Sequence, residues 1–190
     1  MSLNDVETLE QELRQFGVEY NDLDYNRKLR QANNRLSTLV GTQFVELFTV
    51  QFEDVQEQDL DFQNLESFDK VIDASNNEVI DDSNYSVDLT TGKVTFDQSF
   101  VDDELYEGLT LKFYYVPSLF KDLELYIAVR NIMETEVVST GTEEIQGTQT
   151  NRLNDRISGI VNDINSRSST GVQHGDNTNR GSQPPRTLGD

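Results

Sequence analysis

Between Asn84 and Val116 the chain reads NYSVDLTTGKVTFDQSFVDDELYEGLTLKFYYV, a run that strongly limits what it can fold into. Val87 and Leu89 alternate with polar residues, Thr90-Thr91-Gly92 turns, and Val94 and Phe96 alternate again. A period of two gives each strand one apolar face. Gly92 supplies the positive φ that a tight hairpin turn needs. Leu109, Leu111, Phe113 and Tyr115 repeat the alternation in a third strand that stops at Pro117. Helical sequence lies on both sides. The predicted class is therefore α+β: a helical bundle of three to four helices with an inserted small antiparallel β-sheet and an extended C-terminal tail.

The periodicities divide the chain into N-terminal helices (1–42), an inserted β region (43–116), a central buried helix (117–137), a linker (138–150), an amphipathic helix (151–166) and an extended polar tail (167–190). The first helix is expected over 3–17, capped by Asn4 or Asp5, with Leu9, Leu13 and Phe16 as a thin stripe and Gly17 as a stop. The second runs over 22–40, with Leu29, Ala32, Leu36, Leu39 and Val40 at helical spacing and Gly41 at its end. Arg27, Lys28, Arg30 and Arg35 make it the most basic segment. That face is expected to pair with the acidic first helix, or else to meet an acidic partner or DNA.

Residues 43–53 read as a strand apolar on both faces, with Phe44, Phe48, Val50 and Phe52 on one side and Val45 and Leu47 on the other. Residues 54–69 read as an acidic loop. Lys70–Ala74 and Glu78–Ile80 flank Ser75-Asn76-Asn77 as a small hairpin. About six short strands result, enough for a small sheet or sandwich. After Pro117, Ser118 caps a helix whose apolar face carries Leu119, Phe120, Leu123, Tyr126, Ile127 and Met133, widened by Leu125, Val129 and Ile132. A helix apolar this far round is buried by more than one neighbour.

Charge is the dominant compositional fact: 35 acidic residues against 15 basic give −20, and the basic set is 10 Arg and only 5 Lys. Self-repulsion at this density destabilises a compact chain in low salt. At 1 M salt the Debye length falls to about 3 Å and the repulsion is screened. Abundant Asp and Glu with little Lys point to a protein from a very salty cytoplasm; the alternative is an ordinary acidic protein. Either way, the surface as a whole is wrong for non-specific DNA binding. The charge is uneven, because residues 151–190 hold 5 basic and 4 acidic residues, a balance of +1, which leaves −21 on residues 1–150. The apolar fraction of 35% suggests a modest core with part of the chain outside it. No apolar run reaches membrane-spanning length, so no membrane association is expected, and MSLNDVETLEQEL lacks the regions of a signal peptide.

No residue constellation reads as catalytic, so an enzyme is not expected. The single histidine, His174, lies in the polar tail with no second ligand or base near it in sequence. Asp81-Asp82 and Asp102-Asp103-Glu104 lack the spacing of a cation loop and read as solvated acidic loops. With no cysteine there is neither a disulfide framework nor a thiolate metal site. No cofactor or metal is expected. The one segment that asks for a partner is the amphipathic helix beyond the linker. Leu153, Ile157, Ile160, Val161 and Ile164 form a narrow stripe that must bury itself on its own domain or on a neighbour.

In layout the chain resembles the head–tail connector (adaptor) proteins of long-tailed viruses. A short helix is followed by a helix of the type RQANNRLSTLVG, then the hairpin YSVDLTTGKVTF, the strand LTLKFYYVP and the long helix LFKDLELYIAVRNIMET, over roughly residues 3–137. Together with the charge, this resembles a structural protein of a tailed virus that infects a salt-loving archaeon. The resemblance implies a homo-oligomeric ring, usually a dodecamer, below the portal protein. It implies that genomic DNA passes through the ring without specific binding and that a neck or tail-completion protein docks next. It also implies a virion location between capsid and tail, with assembly in the host cytoplasm. On this reading Leu153, Ile157, Ile160, Val161, Ile164, Arg167, Arg180 and Arg186 bind the portal or an adjacent subunit. Two alternatives stay open: another virion component (tail-completion, baseplate or fibre-associated), or a small soluble halophilic binding protein.

Overall fold

The computed structural model describes residues 2–16, 24–49, 56–103, 109–135, 143–168 and 173–174. The fold is mixed α+β, with two small antiparallel sheets. In chain order the elements are α1 (Val6–Gln15), α2 (Tyr25–Val40), β1 (Phe44–Thr49), β2 (Glu57–Asp59), β3 (Leu65–Asp73), β4 (Tyr85–Asp88), β5 (Lys93–Phe96), α3 (Gln98–Asp103), β6 (Thr110–Pro117), α4 (Ser118–Thr135), α5 (Glu143–Ser168) and β7 (Gln173–His174).

Local chemistry sets the helix starts. Asp5 caps α1, its carboxylate accepting from the Thr8 amide at 2.8 Å, and Asp24 caps α2 through the Arg27 amide at 3.0 Å. Gly41 ends α2 with a φ of 88°. Of the two expected caps for α1, Asn4 is used elsewhere: it is buried and bonded to α4.

The larger sheet has the order β3-β6-β1-β7 and the smaller β2-β5-β4. This separates strands that the sequence places side by side. The hairpin β4–β5 forms as expected, but the next strand, β6, joins the other sheet between β3 and β1. The helix α3, absent from the sequence reading, lies between β5 and β6 in the chain. Residues 54–69 are not simply a loop either. Glu57–Asp59 pairs with β5, and β3 already begins at Leu65. The acidic side chains hide these strands because Glu66, Ser67 and Asp69 face solvent on an edge strand interrupted by two register shifts. The small hairpin is present, with Ile72 bridged to Val79 and Asn77 at a φ of 59° in its turn. Val50 and Phe52, expected in the first strand, lie outside the described residues.

Register places Phe44, Glu46 and Phe48 of β1 beside Tyr115, Phe113 and Leu111 of β6. This inner face meets the small sheet across an aromatic cluster. Phe96 lies 6.4 Å from Phe113, Phe68 lies 5.9 Å from Tyr85, and Phe44 lies 4.6 Å from Phe62 in an edge-on pair. The turn of the β4–β5 hairpin is bonded to the β2–β3 connection, with Leu60 N donating to Gly92 O at 2.8 Å and Leu65 N to Leu89 O at 2.7 Å. Gly92, at a φ of 69°, has no room for a side chain, since a Cβ there would lie 2.1 Å from the Phe62 carbonyl oxygen.

The helix α4 follows β6 without a break and touches α1, α2 and α5. Its buried set is Phe120, Leu123, Leu125, Ile127, Ala128, Val129, Ile132 and Met133, so the expected wide apolar face is present. Within it sits one carboxyl, Glu124, fully buried. It accepts from the amides of Leu3 (2.9 Å) and Asn4 (2.8 Å) and from the side-chain amides of Asn4 (2.9 Å) and Asn33 (2.9 Å). One group on α4 thereby ties the segment before α1 to α2.

The expected linker, 138–150, is shorter than its composition suggests, because α5 begins at Glu143. Its Gly, Ser, Thr and Gln content lowers helix propensity without breaking it, and there is no proline. The expected polar tail is likewise helical through Ser168, and Gln173–His174 pairs with the edge of β1. No described helix is long and apolar enough to cross a membrane.

Candidate partner-binding region

The structure occupies the predicted partner stripe within the chain itself. Leu153 and Ile164 are fully buried and Ile157 nearly so, while Ile160 and Val161 pack against the same core at its margin. The receiving surfaces are α4 and α2. Polar contacts flank the stripe: Arg130 donates to Asn154 at 3.5 Å, and the Arg156 guanidinium lies 5.2 Å over the Tyr126 ring. Of the two sequence options, own domain or neighbour, these side chains take the first. The reason is reach. A helix of 26 residues is long enough to lie along α4 and α2, and its stripe is buried against their apolar side chains.

Arg167 has a different setting. It forms an ion pair with Asp163 at 3.3 Å, lies 4.4 Å over the Phe62 ring, and donates to the Asp61 carbonyl. It therefore fastens the end of α5 to the β2–β3 connection. Arg180 and Arg186 lie outside the described residues.

The amide of the same residue, Asp61, donates at 2.9 Å to Glu46 Oε2, which also accepts from the Tyr115 hydroxyl at 2.8 Å. Glu46 is buried at 6% exposure, and desolvation pushes its carboxyl up to about 7 despite those two bonds. Burial, and then the Glu46 charge, push the Tyr115 hydroxyl upward in turn. The Asp61 peptide thus links the core carboxyl on one side to the α5 arginine on the other. Sequence reading missed Glu46. The available signal was its position, an acid at the inward place between Phe44 and Phe48. It also missed Glu124, an acid within a helix that is apolar almost all round.

The basic face of α2 is not paired with α1. The carboxylates of α1 are engaged along α1 itself: Glu10 with Arg14 at 4.0 Å, Glu7 with Gln11 at 3.4 Å and Glu12 with Gln15 at 3.0 Å. Lys28 is buried and donates to Thr135 at 3.0 Å. Arg27, Arg30 and Arg35 are exposed, and among the described residues none has a carboxylate within ion-pair distance.

Among the described residues no group of three or more His, Asp or Glu is placed to hold a metal ion. No protein-family model matches the chain, and no curated protein matches its sequence.

Proposed function

We propose that this chain is a non-enzymatic structural virion protein, a head–tail adaptor whose ring lies below a portal protein, continues the DNA channel and docks the next neck or tail protein. The observation that carries the reading is the path of the chain. The helix α2, with RQANNRLSTLVG, leads through Gly41 into β1, and β6, with LTLKFYYVP, returns directly into α4, which lies beside α2. On this reading α1, α2, α4 and α5 form one bundle and residues 43–116 are its inserted β region. The charge supports the same role, since −21 on residues 1–150 suits a channel wall along which DNA slides without being gripped. It also supports a source virus whose host is a halophilic archaeon.

The burial of Leu153, Ile157 and Ile164 moves the proposed portal contact outward, to the residues beyond α5 with Arg180 and Arg186, and to the exposed side of α5. It also changes the useful deletion. Removing 151–190 strips three side chains from the core, whereas removing 175–190 spares every buried position described. The decisive experiment is imaging of the purified protein in high salt, alone and with virions. A twelvefold ring between capsid and tail is the expected result. A threefold or sixfold assembly transfers the reading to a tail-completion, baseplate or fibre-associated protein. A second reading, a small soluble halophilic binding protein, is favoured by the same buried stripe, because the chain completes its own core. A stable monomer absent from virions selects it.

A further inference from the structure

We infer that the outer face of α2, carried by Arg27, Arg30 and Arg35, is the surface by which one copy of this chain binds the acidic surface of a second copy. The helix Tyr25–Val40 contains no Asp or Glu. Arg27, Arg30, Gln31, Asn34, Arg35 and Thr38 share one side at helical spacing, and all six are exposed. Arg30 Nε is steadied on the Asn26 carbonyl at 3.3 Å.

The charge distribution makes this face unusual. In a chain with 35 acidic residues, an isolated molecule lowers its energy by pairing every cation it has. Several other cations do pair: Lys93 reaches Glu57 at 2.6 Å, Lys121 reaches Glu66 at 3.4 Å, and Arg167 reaches Asp163 at 3.3 Å, whereas Lys112 reaches Asn77 and Arg156 lies over the Tyr126 ring. Arg27, Arg30 and Arg35 stand together on one acid-free helix and form no ion pair among the described residues, although the acidic α1 packs beside that helix. Their capacity for bidentate bonds to carboxylates is unused among the described residues, and a surface outside the chain can take it up.

Two anionic occupants compete, carboxylate protein and nucleic acid. Three phosphate contacts weaken steeply with salt, by close to a power of ten per contact for each tenfold rise. Desolvated guanidinium–carboxylate pairs at an interface are screened far less. In the salt that this composition calls for, the acidic protein surface wins, and the most abundant one in an assembly is the chain itself. A contact that joins a basic patch to an acidic one is heterologous, and repetition of such a contact closes a ring or extends a filament. The choice of a second copy as partner rests on the ring reading above.

The test compares the full chain with its R27E/R30E/R35E and R27Q/R30Q/R35Q variants by sedimentation in about 1 M salt, where repulsion is screened. Circular dichroism checks that the fold is retained, and a short DNA duplex serves as a second probe. The expected result is an assembled parent, a monomeric Glu variant with self-association weakened on the order of a hundredfold or more, and a smaller loss for Gln. Neither parent nor variant shifts the duplex. Assembly unchanged in both variants overturns the α2 contact while leaving the ring intact. A parent that stays monomeric overturns the second copy as occupant. A duplex bound by the parent and released by the variants reassigns the face to nucleic acid.

Discussion

Glu46 makes stability depend on pH in a direction opposite to most surface acids. Its folded carboxyl holds a proton up to about pH 7, against 4.5 for an ordinary glutamate, so the native state binds more protons in that window. Its contribution therefore falls as pH rises from about 4.5 to about 7 and is constant above. The exposed aspartates run the other way. Hydrogen bonds to the Asp5 carboxylate from Thr8, to Asp81 from Ser83 and to Asp88 from Thr91 lower these groups, so their contribution is lost as pH falls. Glu46→Gln keeps an acceptor for Tyr115 and Asp61 but removes the buried charge. Denaturant titrations of the two proteins should coincide near pH 4 and separate above pH 7, the variant being more stable by on the order of 2 kcal/mol. Equal stability at pH 8 refutes the assignment. Glu124 is held by hydrogen bonds, its carboxylate accepting from four donors. Glu124→Ala leaves those donors buried and should cost about 3 kcal/mol or more, with the N-terminal segment becoming susceptible to proteolysis.

Among the elements, the β4–β5 hairpin and α5 carry the sharpest consequences. A Cβ at Gly92 collides with the Phe62 carbonyl in a conformation that already disfavours side chains. Gly92→Ala should cost at least about 2–3 kcal/mol and loosen the β2–β3 connection, read as a lowered Tm and faster exchange of the Leu60 and Leu65 amides. In α5, Leu153→Ala should cost about 2–5 kcal/mol if the helix is docked, and almost nothing if its stripe is free in solution. Gly159 has open space around its Cα, so Gly159→Ala should stabilise by roughly 0.5–1 kcal/mol through helix propensity alone. Opposite signs from two changes six residues apart separate docking from helix formation.

For the molecule as a whole, charge sets the conditions under which the fold exists. A balance of −20 on 190 residues opposes compaction wherever salt does not screen it. Thermal unfolding followed by circular dichroism should show loss of structure as salt falls below about 1 M, with Tm rising on added KCl. Full stability in dilute buffer would remove the case for a halophilic source. In the assembly proposed above, the same screening would govern association, two acidic copies approaching where the cation-bearing face of α2 meets carboxylates.

Much of the α+β plan was legible from one dimension. Alternation at Val94 and Phe96, the cap at Asp5, the stop at Gly41 and the apolar girth of α4 are local, and local rules determine them. The cap at Asp24 was not legible, since the sequence reading starts the second helix at residue 22. The tertiary structure decided what local rules do not reach. Whether β6 joins the hairpin or crosses to the other sheet depends on partners dozens of residues away, Phe44 and Val71 among them. Whether the α5 stripe waits for another protein or fills its own core depends on the apolar faces of α2 and α4 that it meets. Glu46 and Glu124 look like ordinary surface acids until the elements close over them. A side chain's period is written in its neighbours in sequence, whereas its burial and charge state are set by its neighbours in space.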